Sequence, residues 1–282
     1  MIRSFVLLNL IVFTIQAAPV VLITGASKGI GRKTAELLVN EGYTVYGGSR
    51  TICDTALFHQ LKLDITNDQS VHDAVAHVIA KEGRIDVLIN NAGTVIWGSV
   101  ESLTIEEAKQ IFEVNFFGSL RMTQAVLPIM REQKSGRIIQ LSSRSGYRPL
   151  PSASIYAASK FALEGLSETM AATLKAWNIH VSLIEPGPVN TEFDGNGSYG
   201  TNLKNDPYRE IFDKAGLFDP HSPLMQEPEE IASVIKQAVE DEVPLLRYQT
   251  SEPLRIQAAK RFTDVTGQSS VIEFSEVLFP KE

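Results

Sequence analysis

Tyr156 and Lys160 stand four residues apart, a spacing that puts both side chains on one face of a helix. A tyrosine hydroxyl titrates near pH ~10, too high to trade protons efficiently at neutrality. A lysine ammonium beside it favours the phenolate and brings that exchange within range. In isolation such a pair is more often a packing tyrosine next to a solvated lysine. The proton-transfer reading therefore depends on what else the chain carries.

It carries a glycine loop. Val20-Val21-Leu22-Ile23-Thr24 reads as a buried strand and runs into Gly25-Ala26-Ser27-Lys28-Gly29-Ile30-Gly31, which opens a helix. So tight a turn needs glycine for its backbone angles, and for the lack of a Cβ where a pyrophosphate approaches. The helix start then offers its unpaired N–H groups to the phosphates. A strand, a glycine turn and a helix in that order is the context in which such a loop holds a dinucleotide. The positive nicotinium ring of an oxidised cofactor would add to the pull of Lys160 on the phenolate. Tyr156 then acts as general acid in carbonyl reduction or general base in alcohol oxidation.

The elements that must hold these groups can be read from the apolar pattern. Residues 20–24, 43–46, 61–63, 86–89, 138–141 and 181–184 read as strands, the last stopped by Pro186. Residues 30–39, 69–80, 104–133 and 154–177 read as helices, and Thr104 with Glu107 forms a capping-box pattern. Strand and helix alternating over short connections predict an α/β fold: one Rossmann-type, doubly wound parallel sheet with helices on both faces. The expected organisation is a hydrophobic N-terminal segment at 1–18 and one domain at 19–282. Within that domain, 191–227 breaks the pattern with Gly, Asn, Asp and Pro and is read as a substrate lid. Residues 244–282 form a C-terminal extension.

Further motifs follow the glycine loop in order: Asn90-Asn91-Ala92-Gly93, Asn115, Ser143, Tyr156-Ala157-Ala158-Ser159-Lys160 and Pro186-Gly187-Pro188-Val189-Asn190-Thr191. Together, over roughly residues 19–192, they resemble the short-chain dehydrogenase/reductase family. The resemblance implies four catalytic residues. Ser143, thirteen residues before Tyr156, donates to the substrate oxygen, and its neighbour Ser142 does not fit that spacing. Asn115 holds a water linking Lys160 to solvent, and Lys160 touches the nicotinamide ribose. The resemblance further implies cofactor contacts at Gly25, Ser27, Lys28, Gly29, Ile30, Gly31, Ser49, Arg50, Asp64, Ile65, Asn91, Ala92, Gly93, Tyr156, Lys160, Pro186, Val189 and Thr191. It also implies a homodimer or homotetramer.

An enzyme preferring NAD(H) usually ends its second strand in an acid that holds the ribose 2′-OH. Here that strand ends Gly47-Gly48-Ser49-Arg50, and Lys28 lies in the glycine loop. Two cations and no carboxylate suit a 2′-phosphate, so NADP(H) is expected, with NAD(H) the lesser reading. Asp64 is either an adenine contact or a turn residue.

The C-terminal third lacks the Asp-Gly-Gly ending of common bacterial reductases. Its Leu246-Arg247-Tyr248 stretch and its tail resemble the hydroxysteroid and retinol dehydrogenase branch. A bulky apolar alcohol, ketone or aldehyde is the implied substrate. Val95, Trp97, Tyr147, Leu150, Phe193, Phe212, Leu217 and Phe218 are candidates either for contacts to it or for packing. Two other functions stay open. A non-catalytic redox sensor would have no need of the intact Ser143, Tyr156 and Lys160. A 3-ketoacyl thioester reductase sits poorly with the missing Asp-Gly-Gly ending and the long tail.

The remaining features set bounds. A net charge of -7 argues against nucleic-acid binding. One cysteine, Cys53, excludes an internal disulfide. No metal site is expected: His59, His72, His77 and His180 lack clustered partners, and His221 reads as a loop residue. Residues 1–18, with Arg3 before an apolar run, read as an export signal, a membrane anchor or an upstream start. NADP(H) chemistry favours a cytoplasmic enzyme and ranks export last. Any membrane contact falls to residues 1–18.

Overall fold

The computed structural model describes residues 18–52, 57–191, 198–202, 206–214 and 224–279. Residues 1–17, Cys53, Phe193, Leu217, Phe218 and His221 lie outside the described residues.

The apolar runs pair side by side, all in parallel. The strands are β1 (Val20–Thr24), β2 (Thr44–Ser49), β3 (His59–Lys62), β4 (Val87–Asn90), β6 (Gly136–Leu141), β7 (Ile179–Glu185) and β9 (Arg247–Gln249), in the spatial order β3-β2-β1-β4-β6-β7-β9. Val21 of β1 pairs with Val45 on one side and Val87 on the other. The expected doubly wound parallel sheet is what forms. Every residue of β1 and β4 is buried, which is why these strands read as unbroken apolar runs instead of alternating ones.

Helices cover both faces. On one side α1 (Gly29–Asn40) packs on α7 (Pro228–Glu240), and their apolar residues join those of the sheet around Ile23, Ile89, Ile184 and Ile235. On the other side lie α2 (Asp68–Glu82), α4 (Ser119–Gln133) and α5 (Ser154–Leu174), packed around Leu22, Leu88, Met122 and Ile138. The capping box is formed: Thr104 and Glu107 satisfy each other's backbone N–H groups at the start of α3 (Ile105–Phe112). The long helical stretch continues from α3 through a π-helical turn, Glu113–Gly118, into α4.

Strand order reverses between β1 and β4. In such sheets the ligand crevice opens there, outside the carboxyl ends of the strands. A second, two-stranded sheet lies beyond the sequence-based expectations. It pairs β5 (Ile96–Trp97) with β8 (Ser198–Tyr199) and joins the loop after β4 to the predicted lid. Residues 209–214 form α6 (Arg209–Lys214), and the chain beyond β9 forms α8 (Glu252–Thr263) and α9 (Gln268–Leu278).

Candidate active site

The glycine loop is built as its sequence requires. Gly25 has φ +71°, and a Cβ there would come within 2.9 Å of the Ala92 Cα. At Gly31 a Cβ would collide with the Asn91 side chain and the Gly25 carbonyl. The loop is thus shaped so that backbone, not side chains, lines the cradle at the start of α1, which fits a dinucleotide's phosphates. Asn91 and Ala92 anchor it from β4. Both backbone N–H groups donate to Thr24 Oγ1 at 3.0 Å, and Asn91 Nδ2 donates to the Thr24 and Gly25 carbonyls at 2.9 and 3.1 Å. Gly93 follows them in the same loop, and Ser27 is half-buried in the glycine turn. Ile30 packs on the core beneath the loop. From the far side of the crevice Thr191 faces Gly29, its Cγ2 3.4 Å from where a Cβ would stand.

At the end of β2, Ser49 donates to the Thr51 carbonyl at 2.6 Å, and Arg50 is exposed, as is Lys28. Asp64 forms the turn that sequence reasoning allowed for. Its Oδ1 accepts from Thr66 N at 2.9 Å and Thr66 Oγ1 at 2.7 Å, and these bonds, helped by the charges of Arg50 and Arg121, hold its carboxyl below the usual range. The Ile65 side chain turns into the core against Gly118, so a cofactor contact from Ile65 would be a backbone one.

Ser143 follows β6, and Tyr156 and Lys160 lie on α5, which packs against the turn that Ser143 opens. Lys160 is 5% exposed, and its Nζ donates to the Leu141 carbonyl at 2.6 Å. Burial pushes its pKa down to about 8, while the charge of Glu164 one turn on opposes the fall. The ammonium stands 5.7 Å from the centre of the Tyr156 ring. Ser143 caps a short helical turn, Arg144–Gly146, and its Oγ accepts from Ser145 N at 3.0 Å. That bond uses the oxygen as acceptor and leaves the hydroxyl proton for a donor role. Arg144 N donates to the Pro186 carbonyl at 2.8 Å, tying this turn to the Pro186–Thr191 loop, where Val189 bridges to Gln226. Asn115 lies in the π-helical turn, 1% exposed. Its Oδ1 accepts from Thr94 N at 2.8 Å, and its Nδ2 donates to the Thr94 carbonyl at 2.9 Å and to Ser159 Oγ at 3.0 Å.

Of the candidate substrate contacts, Tyr147 belongs to the packing. It is 2% exposed, donates to the Leu254 carbonyl at 3.1 Å and lies against Phe262, fastening α8 to the core. Phe212 of α6 stacks on Tyr208 just before that helix. Val95 is buried, Trp97 and Leu150 are half-buried. His59 stacks on Tyr46 and His77 meets its edge, so both have packing roles. Sequence reasoning missed a buried cluster of Glu164, Glu185 and Arg247 beneath the site. Its signal was charge at the end of an apolar strand, Val181-Ser182-Leu183-Ile184-Glu185. Among the described residues no group of His, Cys, Asp and Glu is arranged to hold a metal, and no helix is long and apolar enough to cross a membrane.

Comparison with known proteins agrees with this geometry. The short chain dehydrogenase family profile matches residues 19–199. A 3-ketodihydrosphingosine reductase from Bacteroides thetaiotaomicron is 45% identical over 63% of this chain and 66% of its own length, just under two thirds. Human 17-beta-hydroxysteroid dehydrogenase type 1 is 33% identical over 94% of this chain and 87% of its own, and bovine retinol dehydrogenase 8 is 33% identical over 89% and 88%. A short-chain dehydrogenase crystal structure from Streptomyces avermitilis superposes with a TM-score of 0.80, at 32% identity, over 93% of this chain and 98% of that one. With its parallel sheet, glycine cradle and Tyr-Lys helix, the chain belongs to the short-chain dehydrogenase family of oxidoreductases, and its near-full-length relatives include hydroxysteroid and retinol dehydrogenases.

Proposed function

We propose that this oxidoreductase interconverts a bulky apolar alcohol and its ketone or aldehyde with NADP(H), using Tyr156 as the proton donor and acceptor. The observation that carries this reading is Lys160. A fully buried ammonium, hung from the Leu141 carbonyl and set by the Tyr156 ring, is costly unless its charge has a task. That task is to stabilise a phenolate.

A bound nicotinamide cofactor supplies or takes the hydride. In the reductive direction Ser143 donates a hydrogen bond to the substrate oxygen and orients it. Tyr156 gives that oxygen its proton, and the Lys160 cation stabilises the phenolate left behind. Asn115 has its side-chain amide committed to Thr94 and Ser159, so in a proton relay to Lys160 it acts through its main chain.

Support for NADP(H) comes from the missing acid at the end of β2 and from two exposed cations, Lys28 in the glycine loop and Arg50 after β2. Support for an apolar substrate comes from the names of the relatives, which specify a hydroxysteroid, retinol and a 3-ketodihydrosphingosine. The highest of these identities favours, as a second reading, a keto group on a sphingoid-type amine. Assembly into two or four copies completes the proposal, with exposed Phe117 and Phe161 on the long helices as the surface. NADP(H) use favours a cytoplasmic location, with any membrane contact through residues 1–18.

The test offers NADPH and NADH separately to the purified chain against steroid ketones, retinal and 3-ketodihydrosphingosine. Turnover with NADPH, falling at least about tenfold in NADPH-over-NADH preference in Arg50→Ala, supports the reading. Tight NADPH binding without turnover on any of these moves the assignment to a non-catalytic sensor.

A further inference from the structure

Glu164 follows Lys160 by one helical turn on the same face of α5, and Glu185 is the last residue of β7. They are 6% and 0% exposed. A protein interior does not take two carboxylates without compensation. Among the described residues one guanidinium meets both: Arg247 Nε lies 3.0 Å from Glu164 Oε2 and 3.4 Å from Glu185 Oε1. Its Nη2 is engaged by Glu168 at the rim, at 3.0 Å.

The groups facing the pair from the surrounding elements do not restore the balance. From β9, Gln249 Nε2 donates to Glu185 Oε2 at 2.5 Å. From the end of β6, Ser142 reaches Glu164. Tyr147 faces both carboxyls and is itself flanked by Arg144 and Arg148. Lys160 faces Glu164 from its own helix. Two close cations, Arg247 and Lys160, thus meet three carboxyls, Glu164, Glu168 and Glu185. The excess falls on Glu185, the most buried.

Glu185 Oε1 has no hydrogen bond, since Arg247 Nε stands 3.4 Å away, and Glu164 Oε1 has none beyond the approach of Ser142, while the two carboxyls lie within reach of each other. One proton on Glu185, donated to Glu164, satisfies both. Burial raises both carboxyls, and the charge of Glu164 pushes Glu185 further, well above its usual range.

The pair also supports the reacting groups. A Cβ at Gly146 would stand 2.7 Å from Ser142 Oγ and 3.0 Å from Glu164 Cγ and Oε1, so the turn capped by Ser143 rests directly on Glu164. Lys160 hangs from Leu141, the residue before Ser142.

We propose that Glu164 and Glu185 share one proton, and that Glu164, the ionised partner, is a positioning residue that keeps Lys160 charged and seats the Ser143 turn. This inference rests on the catalytic reading of Lys160 and Ser143.

Glutamine imitates a protonated glutamate, so the two variants separate the roles. In chain labelled with 13C at lysine Cε, Glu164→Gln moves the Lys160 titration down by about half a pH unit or more, and Glu185→Gln leaves it in place. The pH profile of kcat/KM for alcohol oxidation moves up in Glu164→Gln and superimposes on wild type in Glu185→Gln. A measurement that needs no variant accompanies these: with 13C at glutamate Cδ, the wild-type chain shows one buried carboxyl still protonated at pH 7. The proposal is overturned if no such carboxyl appears, if Glu164→Gln leaves the lysine titration where it was, or if Glu185→Gln moves it as far. Both NMR titrations are read without substrate. Failure of the catalytic reading is therefore seen separately, as turnover retained in Tyr156→Phe.

Discussion

Asn91 donates to Thr24 twice, from its backbone N to Oγ1 at 3.0 Å and from its side-chain Nδ2 to the carbonyl at 2.9 Å. Thr24 ends β1 and Asn91 follows β4, so the pair clasps the crevice where strand order reverses. Thr24→Val keeps the shape but takes the acceptor from the part-buried N–H of Ala92 and leaves that of Asn91 with its bond to the Ile89 carbonyl at 3.1 Å. The expected loss is about 1–3 kcal/mol of stability, read by denaturant unfolding, together with weaker NADPH binding. Thr24→Ser, which keeps the oxygen, restores most of both. A Thr24→Val variant as stable as wild type would show that the hydroxyl does not hold the loop.

Two glycines should respond in opposite directions to alanine. At Gly31 the new methyl meets the Asn91 side chain and the Gly25 carbonyl, so the cradle must open. Gly31→Ala should lower NADPH affinity at least about tenfold, by fluorescence titration, and lower the melting temperature. At exposed Gly165 in α5 a methyl meets nothing within 4 Å. Gly165→Ala should stabilise by roughly 0.5–1 kcal/mol, since glycine is a poor helix former.

The parallel sheet and the order of its motifs were legible in the sequence because both are local. Buried strands show as apolar runs, and Gly25, Gly29 and Gly31 stand where a tight turn demands them. The Glu164, Glu185 and Arg247 cluster was not legible, because its members come from α5, β7 and β9 and meet only once the sheet forms. Tyr147 likewise read as a candidate substrate contact until Leu254, more than a hundred residues on, took its hydroxyl. The pairing of β5 with β8 was invisible for the same reason: two-residue strands carry no period.

Glu107 links Thr201, beyond β8, to the start of α3. Its Oε2 serves the capping box with Thr104, and its Oε1 accepts from Thr201 N at 2.8 Å and Thr201 Oγ1 at 2.7 Å. Burial pushes the carboxyl up, but the hydrogen bonds from Thr104 and Thr201 outweigh it and hold it below the usual glutamate range. The folded state therefore gains stability from this group above the unfolded pKa, and loses it as pH falls through the folded one. Glu107→Gln should speed hydrogen exchange at the Thr201 amide several-fold at pH 7 while β1 and β4 exchange as before. Unchanged exchange at Thr201 would mean that this contact does not hold the segment after β8.

Lys160 sets stability against function. Its pKa falls from 10.5 to about 8 on folding, with burial the largest cause. Between those two values the unfolded chain binds the proton more tightly, so this group's contribution to stability rises with pH from about 8 upward. Below pH 8 the buried charge carries its full desolvation penalty, on the order of 3 kcal/mol. Lys160→Met removes that penalty and loses the bond to the Leu141 carbonyl, worth about 1 kcal/mol. The variant should therefore be more stable than wild type at pH 7, by roughly 2 kcal/mol at most, and the gap should narrow as pH rises past 8. On the proposed mechanism turnover should fall by about 100-fold or more, because a Tyr156 phenolate would lose its cation. Denaturant unfolding at several pH values decides the matter. A variant less stable than wild type at every pH would mean that Lys160 stabilises the fold through its contacts, and that its burial is not a cost borne for catalysis.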